Sequence, residues 1–563
     1  MKKNFYFLLL LTLIGALLRF AFLGQNPIAP NWDEISHGYN AFSILTTGKD
    51  EWGNVFPLIF RAFGDYKLPL YIYLTTIPVF IFGLNVFAVR FVSALSGVLA
   101  IPAIYFLTKE MFPERKINLG KLTVSLEIVS AFLLTISPWH FFISRPALEA
   151  NLALTLIIYG SYFLIRFYNR KSSALPTAIF FGLALHTYNT ARVFTPLLIV
   201  VSLVIFRNSL SHFKKNLVKN TIALLLFGSL AFLVGLQVLS GEGSARYEKL
   251  KILSPSIVYQ IGEKRANSHL PSLLARVIYN RPIYFISTVT KNYISYFSPS
   301  FIYQKWGAQY QFAIPGKNML TLPVYLLAIV GFITIFKKLK GNKNNQFILS
   351  WFLLSPVAAS LTIDPPQALR PNPMIPSFII LSSLGLFYVL DKSSKKYLSY
   401  IFLGLSIWII SSFSYYLYIY RNEYKIKYSS SWQYGYSQII NFVRDHSSEY
   451  DKIFITKRYG EPHIFYAFFT KLDPKLMQPG SENIRFQKSD WFWTDKIGKV
   501  YFINDWQIPT ISVSALPLES GELVSTERSL LVTSPNHVPV NAHRIETISF
   551  LDGSPAFIIT SVP

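Results

Sequence analysis

A chain of 563 residues that is 52% hydrophobic and 16% aromatic is too apolar for a water-soluble fold and too long for one small domain. Its formal charge of +24 would suit nucleic acid if the basic residues formed one patch, but they sit in short clusters between apolar runs, which is how topology signals of a membrane protein are arranged. The absence of cysteine removes both a disulfide framework and a thiolate metal site.

The first apolar run, 5–23, has roughly the twenty residues a helix needs to cross the hydrocarbon core. Met1-Lys2-Lys3 ahead of it could open a cleaved signal peptide, but Arg19 interrupts the run and no small-residue cleavage site follows, so the segment reads as an uncleaved first span. A few residues beyond it stand two adjacent acids in Asn31-Trp32-Asp33-Glu34, just above the lipid headgroups and within reach of a lipid-borne substrate. The run 68–83 is short and carries two prolines. Counting it as a span would put the later basic clusters outside; read as a surface or re-entrant helix, it places Arg166/Arg170/Lys171, Arg207/Lys214/Lys215/Lys219, Lys337/Lys338/Lys340/Lys343 and Lys392/Lys395/Lys396 inside with Lys2 and Lys3.

On that choice the remaining spans are 86–108, 122–143, 148–167, 174–190, 193–206, 220–239, 319–336, 346–363, 374–390 and 397–419. The fold class is therefore a polytopic α-helical membrane protein of about eleven transmembrane helices, residues 1–420, with outer loops at 24–85 and 240–318. From 421 to 563 the composition turns polar. Strand-like segments at Lys452–Thr456, Lys499–Ile503, Ser529–Thr533 and Ala556–Thr560, with helix-like stretches at 434–446 and 461–470, predict a small extracytoplasmic α/β domain with its own core.

Under this topology the unusual polar residues gather on the outer side. The first outer loop holds Asp33, Glu34, His37, Arg61, Asp65 and Lys67. The end of the third span carries Ser144-Arg145-Pro146-Ala147-Leu148-Glu149-Ala150-Asn151. Between later spans lie His186-Thr187-Tyr188-Asn189-Thr190-Ala191-Arg192 and Asp364-Pro365-Pro366-Gln367-Ala368-Leu369-Arg370-Pro371. A charge near hydrocarbon depth costs roughly 2 to 3 kcal/mol or more, so such residues tend to face a functional cavity. Lys67, Arg145, Arg192 and Arg370 could hold an anionic phosphate, and a carboxylate could take the proton of an attacking hydroxyl. ATP and nucleotide sugars are made inside the cell, so an outward-facing transferase needs its activated group delivered on a lipid, and a polyprenyl phosphate sugar meets that need.

These residues resemble the C-type glycosyltransferases, in particular the protein O-mannosyltransferases and the bacterial aminoarabinose (lipid A) transferases, over roughly residues 1–420. The resemblance implies Asp33 as the base that activates the acceptor, with Glu34 orienting the acceptor or Asp33. Lys67-Leu68-Pro69-Leu70 is similar to the Lys-Pro-Pro-Leu stretch whose lysine binds the lipid phosphate, with Leu68 in place of the first proline. Phe87-Ala88-Val89-Arg90-Phe91 and Leu369-Arg370-Pro371 resemble the starts of the second and a late span, although Pro371 replaces the aromatic that often follows the arginine. Glu149 is expected to hold Arg145 or contact sugar, and His186 and Arg192 to line the substrate site. The resemblance further implies an inverting transfer of a hexose or pentose to a protein, lipid or glycan acceptor, without an obligatory catalytic metal. A divalent ion is conceivable, but the further acidic motifs of the metal-dependent oligosaccharyltransferases are not located in this chain.

Expected partners are the lipid-linked donor, membrane lipid and a protein or glycolipid acceptor, with no nucleic acid, in a plasma membrane whose inner side holds the N-terminus. Two other readings stay open: a transporter, whose intramembrane charges would line a pathway, and a non-catalytic protein that handles envelope polymers. Against transport, no pseudo-repeat of broken helices is visible and the polar residues gather at one face.

Overall fold

All eleven apolar runs contain helix in the computed structural model, which describes residues 2–120, 122–302, 309–363 and 366–563. Asp364 and Pro365 of the late arginine-proline motif, and the basic residue Lys121, lie outside the described residues. Among the described residues, six helices are individually long and apolar enough to cross a bilayer: Lys3–Phe20, Val86–Met111, Glu149–Tyr168, Arg207–Leu239, Met374–Lys392 and Lys395–Lys427. Leu126–Thr135, Leu175–Leu185, Asn189–Ile205 and Leu322–Lys337 are apolar but shorter, so helix length does not by itself carry the count of eleven. The chain is a multi-pass membrane protein, and the many exposed large apolar side chains on these helices, such as Leu13, Leu17, Leu225 and Ile407, suit lipid and not water.

Pro69–Phe82 is a helix of 14 residues, too short to span, with Ile77, Phe80, Ile81 and Phe82 exposed along its second half. The expected span 122–143 departs most from expectation. Leu122–Ser125 pairs antiparallel with Lys116–Leu119 around Gly120, whose φ is +68°. Helix follows at Leu126–Thr135, stops, and restarts at Pro138–Ile143, where Ser137 Oγ accepts the His140 amide as N-cap. Pro138 has no N–H to continue the first helix, but it fits the opening turn of the second.

The chain divides into two compact units: Met1–Arg19, Leu95–Ser144 and Glu149–Leu417 form one, and Phe20–Ala94, Arg145–Leu148 and Tyr418–Pro563 the other. In the first, helices meet through small residues. A Cβ on Gly331 would lie 1.9 Å from the Leu381 carbonyl oxygen, and one on Gly385 would lie 1.9 Å from that of Leu327, so helices Leu322–Lys337 and Met374–Lys392 touch backbone to backbone. Arg19, fully buried, shows how a charge survives at this depth: it donates to the carbonyls of Gly15, Leu134 and Thr135 and to His140 Nδ1 at 2.8 Å.

In the second unit a seven-stranded sheet runs in the order His543–Ser549, Pro555–Val562, Ser529–Thr533, Lys452–Thr456, Val500–Ile503, Trp491–Ile497, Ile484–Lys488. Its three central strands are parallel and fully or nearly fully buried, as continuous apolar runs require, and both edges are antiparallel. Helices Tyr436–His446 and Pro462–Thr470 pack beside it, with Tyr436 stacked on Phe465 at 4.3 Å. The first-loop helix Trp32–Thr47 shares this core: Tyr39 Oη donates to the Leu472 carbonyl, and Gln478 Nε2 donates to Thr47 Oγ1 and the Asp50 carbonyl. Arg485 closes the junction, paired to Glu51 at 2.9 Å and lying 3.6 Å from the Trp52 ring centroid.

Candidate active site

Asp33 and Glu34 stand on regular structure within the segment 24–85. They occupy the first turn of helix Trp32–Thr47, where acids complement the helix dipole. Asn31 Oδ1 accepts the Glu34 amide at 2.9 Å, and Glu34 Oε2 accepts the Asn31 amide at 3.2 Å, which makes a capping box. Neighbouring helix positions point about 100° apart, so the box turns one acid inward and leaves the other at the surface.

Glu34 is the inward acid, 1% exposed. Arg90 Nε donates to its Oε1 at 2.8 Å and Arg90 Nη2 to its Oε2 at 3.0 Å, while the Ala147 amide donates to Oε1 at 2.7 Å. The remaining N–H groups of Arg90 are taken by the carbonyls of Leu23, Pro27 and Ala29 at 2.8 to 3.0 Å. Five guanidinium donors thus meet five acceptors, the condition under which a buried ion pair is tolerated. In the sequence Arg90 stands out only at the start of the second span; its partnership with Glu34 is visible in the fold alone.

Asp33 is the outward acid, its side chain 40% exposed, and its Oδ1 lies 2.7 Å from Lys67 Nζ. Lys67 is delivered by a two-residue hairpin, Phe60–Arg61 against Tyr66–Lys67, with Phe60 opposite Lys67 and the Ala62 amide donating to the Asp65 carbonyl. The next residues, Leu68 and Pro69, cap and start helix Pro69–Phe82, so Lys67 sits at the join of two rigid elements. Asp65 adds a second carboxylate 3.7 Å from the Lys67 ammonium. The ammonium is otherwise buried, with 6% of the side chain exposed.

Arg145 belongs to the frame of this unit. It is 3% exposed and donates to the carbonyls of Ala21, Phe22 and Asn26 and to Tyr420 Oη. Its guanidinium also lies 5.7 Å from the Tyr420 ring. Trp32, between the cap and Asp33, is held by two residues more than 400 positions later and by one nearby: its amide donates to Gln433 Oε1 at 2.8 Å, and its ring lies against Phe63 and against Gly460. The next residue, Glu461, accepts from Trp491 Nε1 at 2.9 Å, and burial pushes its carboxyl up to about 7, opposed by that hydrogen bond and by Lys457.

The other sequence-predicted residues lie in the first unit. His186 Nε2 donates to the Leu230 carbonyl at 3.0 Å, tying helix Leu175–Leu185 to Leu217–Leu239. Arg192 Nε donates to the Leu185 carbonyl and its Nη2 to Gln237 Oε1. Arg370 donates to Thr362 Oγ1 at 2.6 Å. Arg192 and Arg370 line a cavity of about 390 Å³ together with Tyr188, Tyr247 and Arg246, a third guanidinium that sequence reasoning passed over. Glu149, half-buried, opens helix Glu149–Tyr168. Among the described residues no three His, Asp or Glu side chains come together as metal ligands.

Comparisons with known proteins agree with this architecture. Residues 67–232 match the model of the dolichyl-phosphate-mannose-protein mannosyltransferase family. No curated protein matches the chain in sequence. ArnT from Cupriavidus metallidurans bound to undecaprenyl phosphate has a similar fold, with 12% identity and a TM-score of 0.53 over 98% of this chain and 97% of that one. The apo state of the same protein matches over 99% and 98%, again at 12% identity and a TM-score of 0.53. The archaeal oligosaccharyltransferase AglB from Archaeoglobus fulgidus, in complex with an inhibitory peptide and a dolichol-phosphate, gives a TM-score of 0.49 at 14% identity over 85% of this chain, which spans 64% of AglB's length. A second Archaeoglobus fulgidus oligosaccharyltransferase structure, with Zn and sulfate, gives 0.47 at 16% identity over 78% of this chain, which spans 55% of that one. The resemblance to C-type glycosyltransferases is thus present in sequence and in fold.

Proposed function

We propose that this chain is an integral-membrane glycosyltransferase that moves a sugar from a polyprenyl phosphate to an acceptor hydroxyl outside the cytoplasm, with Asp33 as general base. The observation that carries the reading is the pairing of a solvent-reachable Asp33 with Lys67 at 2.7 Å, set on a helix start that is locked from beneath by Glu34 and Arg90. The family match beginning at Lys67 and the ArnT-like fold support the choice of a lipid phosphate as donor carrier.

In the proposed step the acceptor oxygen attacks the anomeric carbon as the bond from that carbon to the phosphate oxygen breaks. The acceptor proton passes to Asp33, and the polyprenyl phosphate leaves with its new charge beside Lys67. A base and a leaving group on opposite faces of one carbon give inversion. The Asp33–Lys67 contact is too short to admit a sugar carbon between them, so donor phosphate replaces Asp33 as the partner of Lys67 before transfer. Glu34, Arg90 and Arg145 act as positioning residues, because their polar atoms are engaged inside the fold. The arginine-lined cavity, with Arg192, Arg246 and Arg370, is proposed to hold an anionic headgroup. His186 and Glu149 are assigned to the walls of that helical unit. The active face and the polar segment 421–563 are assigned to the extracytoplasmic side of a plasma membrane, with the sugar a hexose or pentose and the acceptor a protein, lipid or glycan.

The test offers a panel of labelled polyprenyl phosphate sugars and extracted envelope acceptors to the purified full chain, and reads donor consumption and the anomeric configuration of the product by NMR. Transfer with inversion is expected. Retention would remove the single-displacement step, and no consumption of any donor active with another transferase would favour transport or polymer handling.

A further inference from the structure

The N-terminus of helix Trp32–Thr47 is gripped from outside as well as capped from within. A helix start leaves its first amides without intrahelical partners, and the capping box satisfies those of Asn31 and Glu34. The Trp32 amide is instead taken by Gln433 Oε1 at 2.8 Å, and Gln433 Nε2 donates to the Tyr459 carbonyl. Gln433 is 5% exposed and sits at φ 54°, ψ 35°, a left-handed conformation that a side chain with a Cβ adopts at a cost of order 1 kcal/mol. Tyr459 is fixed in turn by Phe550 and Phe557, whose rings lie 5.4 and 5.0 Å from its own. The second jaw is Gly460 at φ +123°, where a Cβ would fall 2.1 Å from Trp32 Cε3, so only glycine lets the indole lie there.

We propose that Gln433, with Tyr459 and Gly460, is a positioning clamp that fixes Trp32 and thereby aims the carboxylate of Asp33 at the acceptor. The inference rests on Asp33 being the base. It makes the polar C-terminal segment part of the catalytic apparatus: a residue held in a left-handed backbone conformation supplies the acceptor for an orphan helix donor one residue from the reacting group. The clamp acts through Asp33 and does not touch the donor, so its loss lowers kcat and leaves the donor KM in place. A misplacement of about 1 Å in a catalytic group costs up to a hundredfold, so a loss of tenfold or more is expected.

The test compares wild type, Gln433→Leu and Gln433→Glu as full-length purified proteins. Hydrogen exchange at residues 32–34 and the thermal midpoint are read beside kcat and KM. Gln433→Leu should lose exchange protection at Trp32 and at least tenfold in kcat, with donor KM within twofold and a near-native midpoint. Gln433→Glu keeps an acceptor for the Trp32 amide but sets a carboxylate oxygen against the Tyr459 carbonyl, so its kcat relative to wild type should rise as pH falls and that acid takes a proton. Unchanged kcat in Gln433→Leu, unchanged exchange at residues 32–34, or equal losses in kcat and midpoint without the pH-dependent recovery would each overturn the clamp. Failure of the wild type to consume any donor would remove the proposed reaction and its aiming of Asp33, while exchange would still decide whether Gln433 grips the helix.

Discussion

Two adjacent acids with opposite surroundings should respond to the same amide substitution in opposite ways. Glu34→Gln keeps the size of the side chain and removes its charge, which leaves the fully buried Arg90 without a counter-charge. The new amide also puts an NH2 group in place of one carboxylate oxygen, where it faces either Arg90 Nε and the Ala147 amide or Arg90 Nη2 and the Asn31 amide, donor against donor. Breaking a buried pair by removing one partner costs about 3 to 5 kcal/mol. Asp33→Asn disturbs an ion pair whose acid is 40% exposed and whose lysine, only 6% exposed, keeps Asp65 as a second carboxylate at 3.7 Å, so the loss is about 1 kcal/mol. Thermal unfolding followed by tryptophan fluorescence in one detergent, alongside turnover, separates the two. Asp33→Asn should keep the wild-type midpoint and lose transfer; Glu34→Gln should lose many degrees of midpoint, and the double substitution Glu34→Leu/Arg90→Leu should not recover them, because it strips the carbonyls of Leu23, Pro27 and Ala29 and the amides of Asn31 and Ala147 of these hydrogen bonds. A Glu34→Gln protein that unfolds like wild type yet transfers no sugar would refute the assignment and return Glu34 to the chemistry.

Lys67→Ala should lower kcat/KM for the lipid donor by about ten- to a hundredfold, the value of one charge-assisted hydrogen bond, while Lys67→Arg retains part of it; equal kinetics in a donor titration would contradict a phosphate role. Glu461 has an ordinary carboxyl pKa in the unfolded chain and about 7 in the folded one, so both states are protonated below the ordinary range, and stability falls as pH rises towards 7 and then levels off. At roughly 1.4 kcal/mol per unit the loss is about 3 kcal/mol, and Glu461→Gln should flatten the curve and raise the midpoint at pH 8. Unfolding midpoints measured from pH 5 to 8 check it, and parallel curves would count against the shift. Gly331→Ala, whose Cβ would meet the Leu381 carbonyl at 1.9 Å, should destabilise by about 1 to 3 kcal/mol or more, whereas Gly404→Ala, with open space around it, should be near neutral in the same scan.

Much of the fold is legible because apolar length and basic clusters are strong signals. Every expected apolar run carries helix, the proline-bearing run 68–83 is a short helix with an exposed apolar flank, and each of the four strand-like segments beyond residue 450 pairs in the sheet. The edge strands Ile484–Lys488 and His543–Ser549 escape notice because polar residues interrupt them and no residue in either is fully buried, so no apolar run marks them. The hairpin Lys116–Ser125 hides at the edge of an apolar run whose composition reads as span. At the site, Asp33 and Lys67 could be picked out by type and position. That Asp33 stands on a helix start was also written in the chain, since Asn31 followed three residues later by Glu34 is a capping box. The partnership of Glu34 with Arg90, 56 positions apart, and of Trp32 with Gln433, 401 apart, depends on tertiary packing that no local pattern encodes. Arg246 was passed over for the same reason: nothing in its neighbours distinguishes it from a solvated loop arginine until the fold sets it beside Arg192 and Arg370.

The central claim, that Asp33 takes the acceptor proton in a transfer from a lipid phosphate, is tested most directly by the rate at which labelled sugar leaves a polyprenyl phosphate donor for acceptor in wild-type and in folded Asp33→Asn protein. The account predicts steady turnover by the wild type and a loss of about a hundredfold or more in the variant at equal donor binding. Equal rates in the two proteins would contradict it.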